Sequence, residues 1–233
     1  MKSTIWAALA LAAMVLSNPR AAQADDIQTG WAAWFNTTKL SQGWTLTSDV
    51  QLRSSDDWED VRNVLLRAGL TRAWGPNATL TGGYAYIDTL NAPGPDLTEH
   101  RFWQQLVLNR KFAGNPLTHR FRLEQRFIDR PGGADFYSDR VRYFTRLIVP
   151  FAKRDDGSFT GTFVALQNEV FLNLSNRDRL NGKLFDQNRA YVAIGRRIDA
   201  GLDLEIGYMN QYLAGRTRDT DNHVIQLAVY TRR

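Results

Sequence analysis

A period of two between apolar and polar residues runs through almost the whole chain after its first two dozen positions. In residues 202–212, for example, Leu204 and Ile206 have one parity, whereas Asp203 and Glu205 have the other. Successive side chains of a β-strand point to opposite faces, so this period indicates strands with one apolar and one polar face. Helical spacing is scarce, and the chain is therefore predicted to be all-β.

Eleven segments carry this pattern. Most are longer than the ~9–11 residues that a tilted strand needs to cross a bilayer, and longer than the ~5–6 residues usual in soluble sheets. No stretch resembles a linker, so residues 25–233 are predicted to form a single domain. The segments are 27–38, 43–53, 60–74, 78–89, 97–112, 117–130, 136–150, 161–174, 185–198, 201–213 and 222–233.

The first 24 residues are interpreted as a cleaved signal peptide. Lys2 is followed by an apolar run over residues 5–16 and by the small-residue ending Ala22-Gln23-Ala24, a pattern typical of secretory signals. Export excludes contact with cytoplasmic nucleic acid. The chain has no cysteine, which excludes disulfides, thiol catalysis and cysteine-bound metals.

The connections between the predicted strands differ in length. Those at 75–77, 113–116 and 199–201 are tight, whereas those at 91–96, 130–135, 175–184 and 214–221 are longer and rich in Gly, Pro, Asn and Asp. This alternation is typical of outer-membrane barrels, with short turns at the periplasm and longer loops outside. Eleven segments conflict with the even strand numbers of bacterial barrels, and we expect a barrel of about 10–12 strands. Either residues 25–39 contain an extra element or a bend, or one segment lies outside the wall.

Arginine on the polar faces decides which face of the wall points into the lumen. A soluble, lipocalin-like barrel would hold its apolar face inside, but a narrow lumen cannot accommodate so many large apolar side chains. In a membrane barrel, each arginine facing lipid costs ~2–4 kcal/mol at the midplane. Arg120, Arg122 and Arg126 alternate on one predicted strand, so turning all three outward would cost on the order of 6–12 kcal/mol, as much as a domain's whole stability. We therefore expect a Gram-negative outer-membrane barrel with these arginines in its lumen.

Six short motifs occur in order along the predicted mature chain. They are Glu99-His100-Arg101, His119-Arg120-x-Arg122-x-Glu124-x-Arg126, Arg140-x-Arg142-Tyr143, Asn168-Glu169-x-Phe171, Asp186-Gln187-Asn188-Arg189 and Gly207-Tyr208-x-Asn210. Together they resemble the domain-of-unknown-function 2490 family of small, uncharacterised bacterial outer-membrane barrels. The resemblance implies an outer-membrane location and a barrel architecture, and it implies no reaction and no ligand.

The inward parity predicts a polar network in the lumen, in which arginines outnumber acids. Each carboxylate is expected to join arginines of neighbouring strands, because a guanidinium binds a carboxylate with two parallel hydrogen bonds. Arg53, Arg67, Arg197 and Asp49 share these faces. The predicted network consists of Glu99, Arg101, Arg120, Arg122, Glu124, Arg126, Arg140, Arg142, Arg146, Glu169, Gln187, Arg189, Asp203 and Glu205.

Three functions are compatible with such a lumen. The network would line a narrow channel for small anionic solutes, or it would brace a plugged structural barrel. An outer-membrane lipid-modifying enzyme is the third alternative, since Ser138, His100 and His223 are assigned to the outer rim. We favour a non-enzymatic role, because Ser138 has the parity of the lumen and carboxylates beside many arginines stay ionised.

The expected partners are outer-membrane lipid, the barrel-assembly machinery during biogenesis and a small anionic solute. No catalytic residue, cofactor or metal site is predicted, because the three histidines lack the spacing of metal ligands.

Overall fold

The computed structural model describes residues 24–91 and 94–233, and in these ranges eleven strands close into one barrel. The all-β barrel prediction is confirmed. Of the predicted signal peptide, all but Ala24 lies outside the described residues. The strands are β1 (Ala24–Ser41), β2 (Trp44–Ser54), β3 (Val61–Ala73), β4 (Ala78–Thr89), β5 (Leu97–Phe112), β6 (Asn115–Asp129), β7 (Phe136–Pro150), β8 (Gly161–Asn173), β9 (Phe185–Arg197), β10 (Leu202–Leu213) and β11 (Asp219–Arg232).

The described residues contain little helix. Short 3-10 helices occupy Asp56–Trp58 and Arg177–Arg179, in the connections before β3 and β9. Over residues 24–91 and 94–233, no helix combines the length and the apolar character needed to cross a membrane.

The expected barrel of about 10–12 strands is confirmed, and all eleven segments lie in its wall. Neighbouring strands are antiparallel except at one seam, where β1 and β11 pair in parallel from Ala24↔Asp219 to Thr37↔Arg232. An odd number of strands leaves the first and last running in the same direction, so closure requires one parallel ladder. As a consequence, Ala24 and Arg232 lie at opposite ends of the barrel.

The connections divide into two sets, one at each end. The long-connection end carries residues 55–60, 90–96, 130–135, 174–184 and 214–218. The short-connection end carries residues 42–43, 74–77, 113–114, 151–160 and 198–201. The expected difference in length is therefore present, with one exception: the β7–β8 connection, residues 151–160, is long although it lies at the short-connection end.

The β5–β6 connection shows why tight turns suit this end. Ala113 and Gly114 both have positive φ, at 48° and 74°, which matches the type I′ geometry of two-residue hairpins. Glycine adopts such angles without steric cost. The turn therefore joins two long strands without an intervening loop.

The two faces of the wall differ as the parity predicts. Large apolar side chains project outward and are exposed on nearly every strand, whereas the glutamates of the strands and most of their arginines face the lumen. Arg72, Arg110 and Arg196 are exceptions, exposed on the outward parity. A soluble barrel with an apolar interior is therefore not the fold. The exposed outward side chains include Leu46, Leu52, Leu66, Leu70, Leu80, Phe102, Phe121, Phe127, Ile194, Leu204, Ile206 and Leu227.

Aromatic side chains also occupy the lumen, and inward glycines make room for them. The buried indole of Trp103 lies across Gly69 and Gly83. A Cβ on Gly83 would stand 2.3 Å from the Trp103 ring and 2.5 Å from the backbone oxygen of Ala68. On the opposite side, Phe163 fills the space above Gly195 in the same way. The interior is thus narrowed by packed rings as well as by charged groups.

Replacing Gly83 with alanine is expected to destabilise the barrel, because the new methyl group overlaps Trp103 and a backbone oxygen. Overpacking of this kind costs ~1–3 kcal/mol. Gly82→Ala is the matched control, since a Cβ at this adjacent site would meet no atom within 4 Å. Urea unfolding of the refolded barrel in detergent measures both, and equal midpoints for the two variants would contradict the packing argument.

Candidate functional site

Glu124 is the most deeply buried acid of the lumen, with 1% of its surface exposed. Its two carboxylate oxygens accept separate hydrogen bonds, one from Arg140 at 2.7 Å and one from Arg142 at 2.6 Å. Arg122 approaches to 3.8 Å. The strand register places these side chains together, because Glu124↔Arg140 and Arg122↔Arg142 are opposed pairs of β6 and β7.

Glu169 on β8 extends the contacts to the next strand. Its Oε1 accepts hydrogen bonds from Arg142 and Arg120, and the shortest N···O distance is 2.7 Å to each. Arg142 thus joins Glu124 and Glu169. Glu169 is shared between arginines of β6 and β7, as the parity analysis anticipated, whereas both arginines hydrogen-bonded to Glu124 lie on β7.

Glu99 on β5 forms the third centre. It pairs with Arg101 on its own strand at 2.5 Å and with Arg126 of β6 at 2.6 Å. Together with Glu124 and Glu169 and their partners Arg120, Arg140 and Arg142, these residues form what we call the arginine–glutamate network. The network crosses β5 to β8, and its buried charges are matched by hydrogen-bonded counter-charges, which is the condition for tolerating them inside a protein.

Further ion pairs lie elsewhere in the lumen. Arg67 on β3 holds Asp49 on β2 at 2.8 Å. Near the short-connection end, Glu205 pairs with Arg146. Asp203 accepts from Arg197 at 2.8 Å, and from Arg232 at 2.5 Å.

Arg232 and Asp186 take part in lumen ion pairs that the parity analysis missed. Arg232 belongs to the inward parity of β11, and that signal would have found it. Asp186 pairs with Arg140 at 3.0 Å, although its parity is that of the outward side chains of β9. A bulge explains this, since the β8–β9 register shifts between Phe171↔Gln187 and Leu172↔Phe185. Such a shift turns one residue to the other face, which periodicity alone does not reveal.

Arg53 and Arg189 differ from the arginines of the network, because neither has a carboxylate within ion-pair distance among the described residues. Both guanidiniums lie against the ring of Trp31, at 3.8 Å and 5.0 Å from its centroid. Arg53 donates to Gln51 at 2.8 Å, and Arg189 donates to Gln187 at 3.1 Å. Arg189 also lies 4.7 Å from the centroid of the Phe171 ring, and Glu169 is opposite it in the β8–β9 register without forming an ion pair.

A chain of hydrogen bonds leads along the wall to Arg189. Thr29 donates to Asn222 at 3.0 Å, Asn222 donates to Gln211 at 3.2 Å, and Gln211 donates to Gln187 at 2.7 Å. Gln187 also accepts from Arg189. We call these four neutral residues, on β1, β11, β10 and β9, the amide wall.

A cavity of about 870 Å³ separates the amide wall from the arginine–glutamate network. At the long-connection end it is lined by Asp56 of the β2–β3 connection and Asn181 of the β8–β9 connection. Its deepest lining residues toward the other end include Phe144 and Tyr230. Among the described residues that line it, none belongs to a connection of the short-connection end.

The predicted network residues are placed as follows. Ten of them line the cavity, namely Glu99, Arg101, Arg120, Arg126, Arg140, Arg142, Arg146, Glu169, Gln187 and Arg189. Arg122, Glu124, Asp203 and Glu205 are buried in the lumen without lining it.

The histidines and Ser138 do not meet. His100 is hydrogen-bonded to the Tyr84 hydroxyl at 2.5 Å, and His223 to the Tyr208 hydroxyl at 2.6 Å, on the outward parity of their strands. Ser138 is fully buried and donates to the backbone oxygen of Ser175. Ser138 therefore faces the lumen side of the wall, opposite to both histidines.

Fold and lumen together define a class: an eleven-stranded closed barrel with buried arginine–glutamate pairs on one side of its interior and neutral amides on the other. The family described as "Protein of unknown function (DUF2490)" matches residues 28–222, and the chain belongs to it. It is also 25% identical over 217 residues to an uncharacterized protein of Methylorubrum extorquens, covering 91% of each chain. No solved structure matches.

Substituting Glu124 with glutamine is expected to cost on the order of 3–5 kcal/mol of unfolding free energy, because it leaves two buried guanidiniums without their shared counter-charge. Asp25→Asn is the control. It removes the same charge from an exposed pair with Arg218, where little change is expected. Urea unfolding at several salt concentrations tests this, and an equally small effect of both substitutions would show that Glu124 does not hold the network together.

Proposed function

We propose that this protein is an outer-membrane β-barrel whose lumen is a narrow, anion-preferring channel for small solutes. The observation that carries the proposal is the cavity of about 870 Å³, lined by many guanidiniums and reached from the long-connection end. Charged rings along a pore select ions of the opposite sign. The arginines that exceed the carboxylates give the cavity this preference.

The outer surface supports the membrane location. Side chains such as Phe102, Ile194 and Ile206 are more than half exposed on the outside of the wall, and an apolar surface of this extent is stable only against lipid or a partner. The strands have 11 to 18 residues, enough to cross a bilayer at a tilt.

Passage through the lumen requires movement at the short-connection end. Phe159 of the β7–β8 connection is buried against Phe163, with ring centroids 5.7 Å apart, and the Arg197 guanidinium lies 4.0 Å from the Phe159 ring centroid. These side chains stand between the cavity and the short-connection end. We infer that the connection 151–160 limits conductance.

The location is tested by fractionation. The full-length chain, expressed in a Gram-negative host, is expected in the outer-membrane fraction and to migrate differently on gels before and after heating, because closed barrels resist detergent until heated. Recovery of a soluble periplasmic pool as the main species would overturn the membrane proposal.

Channel activity is tested in planar bilayers with a potassium chloride gradient. The wild-type barrel is expected to give a small conductance with a reversal potential that favours chloride, and Phe159→Ala is expected to raise the conductance severalfold by removing the ring that fills the short-connection end. Phe151→Ala is the matched control, since Phe151 lies in the same connection but is 60% exposed. Absence of conductance in both the wild type and Phe159→Ala would refute the channel.

A structural barrel is the second candidate, and the pairing of Glu124 with Arg140 and Arg142 favours it. Most lumen arginines are bound to carboxylates, so the network cross-braces β5 to β8 whether or not a solute enters. This candidate is distinguished by lost stability in Glu124→Gln together with the absence of any conductance. In neither candidate does the chain act as an enzyme.

A further inference from the structure

We propose that Arg53 and Arg189, on either side of the lumen seam formed by β1 and β11, bind the carboxylate or phosphate group of a small solute in the cavity. The inference rests on the proposed entry of anions from the long-connection end, but it does not require their passage across the barrel. Both arginines line the cavity, as does Trp31, whose ring lies against both guanidiniums.

The first argument is the number of unused donors. A guanidinium carries five N–H groups. Arg53 directs one contact to Gln51, and its buried Nε has no acceptor among the described residues. Arg189 uses its Nε for Gln187, and its terminal nitrogens have no acceptor in the same part of the chain. Buried donors in proteins are nearly always satisfied, so the buried Nε of Arg53 calls for an acceptor that the described part of the wall does not supply, and the terminal nitrogens of Arg189 are available to the same acceptor.

The second argument is charge. Arg120 and Arg122 also have an unsatisfied nitrogen, but each lies within 4 Å of a glutamate oxygen. Among the described residues, the two arginines at Trp31 are hydrogen-bonded only to neutral amides, and Glu169, which lies opposite Arg189 in the strand register, is beyond ion-pair distance. Two positive charges held against one ring repel each other, and the repulsion is strong where water is scarce. An anion between them removes this cost, whereas an additional neutral solute does not.

The third argument is positional rigidity. Trp31 is 7% exposed, and its ring contacts both guanidiniums. The side-chain oxygens of Gln51 and Gln187 orient the two arginines, and Gln187 is in turn held by the amide wall through Gln211. A preorganised donor pair loses little conformational entropy on binding. The planar fork of arginine suits the oxygens of a carboxylate or a phosphate.

A solute anion meets less competition from carboxylates at Arg53 and Arg189 than at the arginine–glutamate network. In the arginine–glutamate network, a solute anion would compete with carboxylates already bonded at 2.5–2.7 Å. At Arg53 and Arg189 it meets no such competitor. The lumen thus has one side where the arginines are already bonded to carboxylates and one side where two arginines have no bonded carboxylate among the described residues.

The test is calorimetric titration of the refolded barrel in a zwitterionic detergent with inorganic phosphate, and separately with succinate, at constant ionic strength set by chloride. Saturable binding of at least one probe is expected, and the stronger of the two identifies the solute's acidic group as phosphate or carboxylate. Each hydrogen bond to a charged group is worth ~1.5–3 kcal/mol, so Arg53→Gln and Arg189→Gln are each expected to weaken binding by about tenfold or more.

A charge-matched control separates a site from general attraction. Arg177→Gln and Arg218→Gln remove the same charges from exposed positions outside the cavity lining and are expected to leave binding within about twofold. The site would be overturned if the control and site variants lost equal affinity, or if folded Arg53→Gln and Arg189→Gln proteins bound the probes as the wild type does. It would also be overturned if the wild type bound neither probe.

Lysine variants keep the test decisive if a glutamine variant fails to fold. Arg53→Lys and Arg189→Lys retain the charge but lose the fork, so folded variants are expected to bind several times more weakly, and undiminished binding overturns the site. Chloride preference in planar bilayers is measured on the same proteins. Probe binding without any conductance would refute the channel and leave the site standing, whereas conductance without probe binding would do the reverse.

Discussion

Neutralisation of buried charge is the constraint on which this lumen depends. A closed wall directs every second side chain into a space with little water, and there an unpaired guanidinium or carboxylate costs several kcal/mol. Glu99, Glu124 and Glu169 meet this constraint by each serving two arginines at distances of 2.5–2.7 Å. Since their partners come from different strands, the same contacts that remove the electrostatic cost also tie β5, β6, β7 and β8 together.

The interior is asymmetric both around and along the barrel axis. Around the axis, the arginine–glutamate network faces an amide wall whose two nearby guanidiniums have no carboxylate partner among the described residues. Along the axis, an open cavity at the long-connection end gives way to packed rings, among them Phe159 and Phe163. The packing depends on backbone positions without a side chain, because Trp103 occupies the space that a Cβ on Gly83 would fill. Shape and charge together give the barrel one accessible end and one restricted end.

Periodicity predicted much of this arrangement, and its failures have identifiable causes. The inward position of Arg122 and Glu124 followed from parity, because a period of two allows only two orientations and lipid excludes one of them. Asp186 was missed because a bulge reverses its parity locally. Phe159 was missed because it lies in a connection, where no period applies. The strand number lies within the expected range but is odd, because β1 and β11 close in parallel, whereas the even-number rule presumes antiparallel closure.

The amino-acid sequence by itself determined that the chain forms long strands, that their apolar sides face away from the lumen, and that arginines and acids share the inner side. These properties are local, since alternation is set within each strand. Only the tertiary structure decided which carboxylate serves which arginine, that Arg53 and Arg189 receive none from the described part of the chain, and that eleven strands suffice for closure. Those outcomes depend on the register between strands that are distant in sequence, and ion pairs form only where that register brings the atoms within a few ångströms.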